Sequence, residues 1–198
     1  MAPTILKARY PICLTPLLIA LLVPLSLHSG EIEDFEKPLQ LTFSLSDFDG
    51  ERHTLPDYHG KVVLINFWAT WCPPCIYEMP ELMQLRQQFA DTPFEILAIN
   101  VAEKKYRVQK FTKTIGLTLP VLLDSDSEAF TDWGVKTLPT SFLVDARGKT
   151  RYRIRGNPGW EHDETLKLIE GLIAETTALS YSEPDDGAIK TDNAVELD

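Results

Sequence analysis

Cysteine is scarce in this chain. Its 198 residues hold three cysteines, and only Cys72 and Cys75 form a close pair. Cys13 lies far away in an apolar N-terminal segment. A zinc site needs four ligands and usually draws them from two spaced pairs; no second cysteine pair completes one. Positive charge is also short: 19 Lys and Arg face 29 Asp and Glu, a net charge of −10. That balance argues against a nucleic-acid partner. The apolar run from Ile12 to Leu27 is interrupted by Thr15, Pro16, Pro24 and Ser26. It falls short of the ~20 residues of a comfortable membrane span. No internal repeat is present.

The stretch that organises the rest is residues 66–80, NFWATWCPPCIYEMP. An apolar run, VVLINF, precedes the cysteines and a helical pattern follows them. The reading is strand, tight turn, helix, with the Cys-x-x-Cys pair at the helix start. Proline is tolerated in the first helical turn, where its missing N–H would have no partner. Cys72 then falls at the N-cap, where free N–H groups and the positive end of the helix dipole favour a thiolate. That makes Cys72 the nucleophile. Cys75 lies one turn on and closes a small disulfide ring. Such a short loop gains little chain entropy on closure, which favours a redox couple over a structural staple. Half of a metal site and a purely structural disulfide are the alternatives.

WATWCPPC resembles the thioredoxin-like active site. NFWATWCPPCIYEMPEL is similar to the TlpA/ResA/DsbE group, the exported thiol:disulfide oxidoreductases. The likeness extends over roughly residues 38–175, including an F-x-L…D-G…G-K-V-V-L-I-N-F-W pattern ahead of the cysteines. It implies a thioredoxin-like α/β fold, with a central mixed sheet flanked by helices, an N-terminal β-hairpin and a central insert.

Four segments follow. Residues 1–30, with Lys7 and Arg9 ahead of the apolar run, read as a signal peptide or an N-terminal membrane anchor. Residues 31–37 read as an acidic linker and 38–178 as the thioredoxin-like domain. Residues 179–198 carry six acids and one lysine and read as a disordered tail. Within the domain, 39–59 predicts a hairpin turning at Asp49-Gly50. Met79, Leu82, Leu85 and Phe89 predict the buried stripe of the helix after Cys72, kinked at Pro80. FEILAINV predicts a buried strand. Residues 103–115 predict an amphipathic helix with Tyr106, Val108, Phe111 and Ile115 on its apolar face, stopped by Gly116. LPVLLD and SFLVD predict further strands, Lys149 to Arg155 an edge strand, and Asp163 the cap of a last helix.

The resemblance also assigns roles. Leu138-Pro139-Thr140 matches the family loop whose cis proline, here Pro139, faces the cysteine pair. Leu138 would offer backbone hydrogen bonds to an extended substrate segment. Trp71, Pro73 and Pro74 would line the substrate site, with Trp68 in the core. Where thioredoxin carries a buried proton-accepting aspartate, this chain has Asn66, which cannot take a proton. Glu78, three residues past Cys75, is the substitute, with burial raising its pKa. The implied activity is reduction of protein disulfides through a Cys72–Cys75 disulfide, in cytochrome c maturation or at metal-site cysteines. A membrane thiol donor would recharge it on the periplasmic side of the inner membrane. No cofactor or metal is expected. Two other functions compete: a soft-metal chaperone using the cysteine pair as ligands, and a peroxidase on the same fold.

Overall fold

The computed structural model describes residues 30–181. In chain order the strands are β1 (Glu31–Leu39), β2 (Ser44–Ser46), β3 (Arg52–Thr54), β4 (Val62–Trp68), β5 (Phe94–Val101), β6 (Val121–Asp124), β7 (Thr140–Val144) and β8 (Thr150–Arg155). The helices are α1 (Pro73–Gln88), α2 (Lys105–Ile115), α3 (Glu128–Asp132) and α4 (Asp163–Tyr181). One sheet joins all eight strands in the order β1-β8-β7-β4-β5-β6-β2-β3. This is the mixed-sheet thioredoxin-like fold that the motif implies.

The sheet is built around β4, whose seven residues are all buried. A strand covered on both faces must be apolar throughout, and VVLINFW nearly is. It runs parallel to β5 and antiparallel to β7. Side chains alternate between the faces. Val62, Leu64 and Trp68 pack with Met79, Leu82 and Leu85 of α1, Val108 of α2 and Ile169 and Leu172 of α4. Val63, Ile65 and Phe67 pack on the other side with Phe142, Ala129 and Trp133. Each large apolar side chain removed from water in this way contributes ~1.5–3 kcal/mol. Asn66 falls on the α1 side by the same alternation, and that phase later matters to the site.

Three readings need correction. Residues 31–37 are not a linker: they form most of β1, paired antiparallel with β8. Acidity suggested a solvated segment, but the acids face a basic strand. Glu33 Oε2 accepts from Arg155 at 2.8 Å, and Phe35 lies under the Arg153 guanidinium at 5.2 Å. For the same reason β8 is an inner strand rather than an edge. Tyr106 lies outside the apolar face of α2, being 75% exposed. Elsewhere α1 continues across Pro80 to Gln88, and Gly116 caps α2 at φ 67. The helix α4 runs past residue 178 to Tyr181. The expected signal or anchor and most of the expected tail lie outside the described residues.

Candidate active site

The strand–turn–helix reading places the cysteines. β4 ends at Trp68, Cys72 is the N-cap of α1 with extended dihedrals, and Pro73 and Pro74 are its first two residues. A disulfide joins Cys72 to Cys75 across a Cα–Cα distance of 5.3 Å. Cys75 is fully buried, whereas Cys72 keeps 4% of its surface. The two prolines change the N-terminal electrostatics expected from the sequence. An N-cap side chain is normally served by the N–H groups of the second and third helical residues. Pro74 has none, so the Cys75 N–H is the only one of the two that remains.

One turn beyond Cys75, Glu78 is completely buried. Asn66 Nδ2 donates to its Oε1 at 2.7 Å and Trp160 Nε1 donates to its Oε2 at 3.2 Å. Asn66 also donates to the Ser141 hydroxyl at 2.9 Å, tying α1 to β4 and β7. Burial pushes the Glu78 carboxyl up to about 7. The two donors oppose that rise and the charge of Glu81 adds to it.

A second carboxylate fixes the turn itself. Glu103 accepts from the Thr70 amide and hydroxyl, both at 2.6 Å, and from Asn100 Nδ2 at 3.0 Å. Arg107 Nε lies 2.9 Å from its Oε1. Burial works upward on this carboxyl, but those bonds and the Arg107 charge outweigh it and hold the group below the ordinary range. Glu103 is therefore an anion at neutral pH and ties the backbone two residues before Cys72 to the end of β5.

The Leu138–Pro139 peptide bond is cis, and Thr140 pairs with Phe67 in the sheet. That register brings the loop to the end of β4 from which the cysteines emerge. Cys72, Trp71, Pro73, Pro74 and Leu138 line one groove of about 610 Å³, together with Phe130 and Lys136 among others. All four residues expected at a substrate site thus share one surface with the more exposed cysteine. Trp71 is 60% exposed, and Trp68 is wholly in the core.

The AhpC/TSA family model matches residues 36–153. The chain belongs to this family. Within it, thiol-disulfide oxidoreductase ResA of Geobacillus thermodenitrificans is 46% identical over 129 residues, 63% of this chain and 74% of that protein. ResA of Bacillus subtilis is 42% identical over 139 residues, 70% and 69% of the two chains. The thiol:disulfide interchange protein from Chlorobium tepidum TLS superposes with a TM-score of 0.60 at 30% identity, covering 70% of this chain and 99% of that one. StoA from Bacillus subtilis gives 0.56 at 26% identity, with 67% and 96% covered. This AhpC/TSA member falls in the thioredoxin-like oxidoreductase branch that its Cys-Pro-Pro-Cys motif resembles.

Several residues of the site carry no mark in the sequence. Trp160 lies 82 positions from the carboxylate it serves. Asn66 reads as a missing acid but acts as a donor. Glu103 reads as the start of a surface helix. The one available signal is its place directly after a buried strand, where a free acid is costly unless paired.

Proposed function

We propose that this oxidoreductase is exported, held by or delivered through residues 1–30, and reduces disulfides of partner proteins on the periplasmic side of the inner membrane. The observation that carries this reading is the asymmetry of the pair: Cys72 lines the groove at the start of α1, and Cys75 is fully buried, one helical turn before the equally buried Glu78. The Cys72 thiolate attacks one sulfur of a substrate disulfide. That bond breaks, and the leaving sulfur departs as a thiolate that takes a proton. Glu78 accepts the Cys75 proton, and Cys75 attacks Cys72 Sγ. The mixed disulfide breaks, the substrate leaves reduced by two electrons, and the chain holds the Cys72–Cys75 disulfide. A membrane thiol donor returns the two electrons. A carboxyl near pH 7 suits this task, because an acceptor is most effective when its pKa lies close to the operating pH.

The substrate segment lies extended along Leu138, with Pro139 covering the sulfurs and Trp71, Pro73 and Pro74 forming the floor. Apocytochrome c and metal-site cysteines are the substrate classes this reading favours. Cys75→Ser tests it by removing the resolving thiol and stalling exchange halfway. That variant, carrying its own residues 1–30, should accumulate reductant-sensitive adducts with partner proteins. The Cys72→Ser/Cys75→Ser double variant should accumulate none. Partners that are oxidised in untreated cells indicate reduction. Adducts formed through Cys75 once Cys72 is removed would overturn the assignment of the nucleophile.

A further inference from the structure

Acids dominate the chain, yet residues 104–113, KKYRVQKFTK, carry five cations and no acid. All five are exposed. Arg107 alone has a carboxylate, Glu103, which is already engaged by Thr70 and Asn100. Lys104, Lys105, Lys110 and Lys113 have no ion-pair partner among the described residues. The arrangement works against the helix that bears it. Lys104 and Lys105 stand at the N-terminus of α2, the positive end of its dipole, where cations are unfavourable. Arg107, Lys110 and Lys113 repeat at a spacing of three, which sets like charges side by side at a cost of ~0.2–0.5 kcal/mol per pair. Within the described fold only the Arg107–Glu103 pair and the place of Lys113 in the last turn offset that cost; Lys104, Lys105 and Lys110 gain neither.

The face also adjoins the cysteines. Trp71 and Tyr106, both largely exposed, line one depression with Lys104 and Arg107, of about 470 Å³. Tyr106, Arg107 and Lys110 line the next, with Thr70, of about 410 Å³. Trp71 and Ala102 line both the first of these depressions and the groove at Cys72, which Lys136 also lines.

We infer that the outer face of α2 is a docking surface for an acidic stretch of the partner protein whose disulfide is exchanged at Cys72. The inference rests on the proposed function and adds the chemistry of the partner: carboxylates flanking the disulfide on the side that crosses Trp71. Charge complementarity carries it. A cationic patch on an acidic protein repels nothing acidic locally, while the remaining surface turns away partners that dock elsewhere. Such fields raise encounter rates by 10–10³ and fade as salt shortens the ~8–10 Å screening length.

The test uses the full chain, reduced, and three peptides that share one internal disulfide and differ in their flanks of Glu, Ser or Lys. The Glu-flanked peptide should be reduced with a kcat/KM about tenfold above that of the Lys-flanked one, within the range that steering supplies. High salt should close the gap. Lys104→Glu/Lys110→Glu should abolish or reverse the order. Lys61→Glu/Lys167→Glu, an equal change of net charge away from the site, should preserve it. Equal rates for the three peptides, or an order that Lys104→Glu/Lys110→Glu leaves intact, overturns the proposal. So does an order that emerges only after residues 182–198 are removed, which would assign the face to the chain's own acidic segment. Binding to phosphatidylglycerol vesicles that the double variant abolishes, without any peptide order, overturns it in favour of a lipid surface. Hydroxyethyl disulfide, small and uncharged, separates the two readings. If the wild-type chain does not reduce it, the proposed function falls and the docking surface with it. If it is reduced but the peptides show no order, the docking surface alone falls.

Discussion

Asn66 donates to Glu78 across the packing of β4 against α1, at 2.7 Å. The strand position that the thioredoxin resemblance gives to a proton-accepting aspartate is here a donor, and the carboxylate it meets comes from the helix. Glu78 sits there with Trp160 on its second oxygen, and burial prevails over both donors.

The first prediction follows from that balance. The Glu78 carboxyl stands at about 7 in the fold, against an ordinary value of 4.5. The folded chain therefore binds this proton more tightly than the unfolded chain. Its contribution to stability is full below about 4.5 and is lost as pH rises through about 7. By linkage the loss between about pH 5 and 8 is ~2–3 kcal/mol. Denaturant unfolding of the oxidised chain at both ends of that window should show it, relative to Glu78→Gln, which lacks the titration. Wild-type and Glu78→Gln stabilities that change in parallel would rule it out.

Trp160 supplies the second prediction. Its N–H is one of two bonds that hold the Glu78 pKa down, so Trp160→Phe should raise the carboxyl above about 7. If Glu78 takes the Cys75 proton, the pH midpoint for resolving a Cys72 mixed disulfide should move to higher pH in Trp160→Phe. Glu78→Gln should slow the step on the order of 10²-fold, the lower range for a positioned proton acceptor. Rapid-quench trapping across about pH 5 to 9 spans the relevant carboxylate and thiol values. A midpoint that Trp160→Phe leaves in place would remove Glu78 from the mechanism.

The third prediction concerns the helix start. Pro74 withholds the N–H that the second helical residue would turn toward the N-cap, and Cys72 is that N-cap. Pro74→Ala restores the donor and should enlarge the thiolate fraction of reduced Cys72. Alkylation by iodoacetamide should quicken severalfold near neutral pH, in keeping with the ~1.5–3 kcal/mol of a hydrogen bond to a charged group. An unchanged pH–alkylation profile would show that the count of N–H groups does not govern this thiol.

Much of this molecule was legible because it is local. The run VVLINF, the turn residues and the Cys-Pro-Pro-Cys spacing state a strand, a turn and a helix start in adjacent positions, and their physics needs nothing from elsewhere. The apolar stripe of α1 and the glycine stop of α2 are local in the same sense. Residues 31–37 show where such reading misleads. Acidity marks them as solvated until Arg153 and Arg155, some 120 positions away, are set beside them.

By itself the sequence determined the strand, turn and helix start around Cys72 and Cys75, since these depend on periodicity and on neighbours within one turn, and its resemblance to the thioredoxin-like group carried the fold class. Only the tertiary structure decided the rest of the site. The pKa of Glu78 depends on burial between α1 and β4 and on donors from Asn66 and Trp160. The hold on Thr70 depends on Glu103 arriving from the end of β5. The groove depends on the loop at Leu138 meeting Cys72. Desolvation and hydrogen bonding act through space over a few ångströms, and the folded backbone alone brings these distant positions that close.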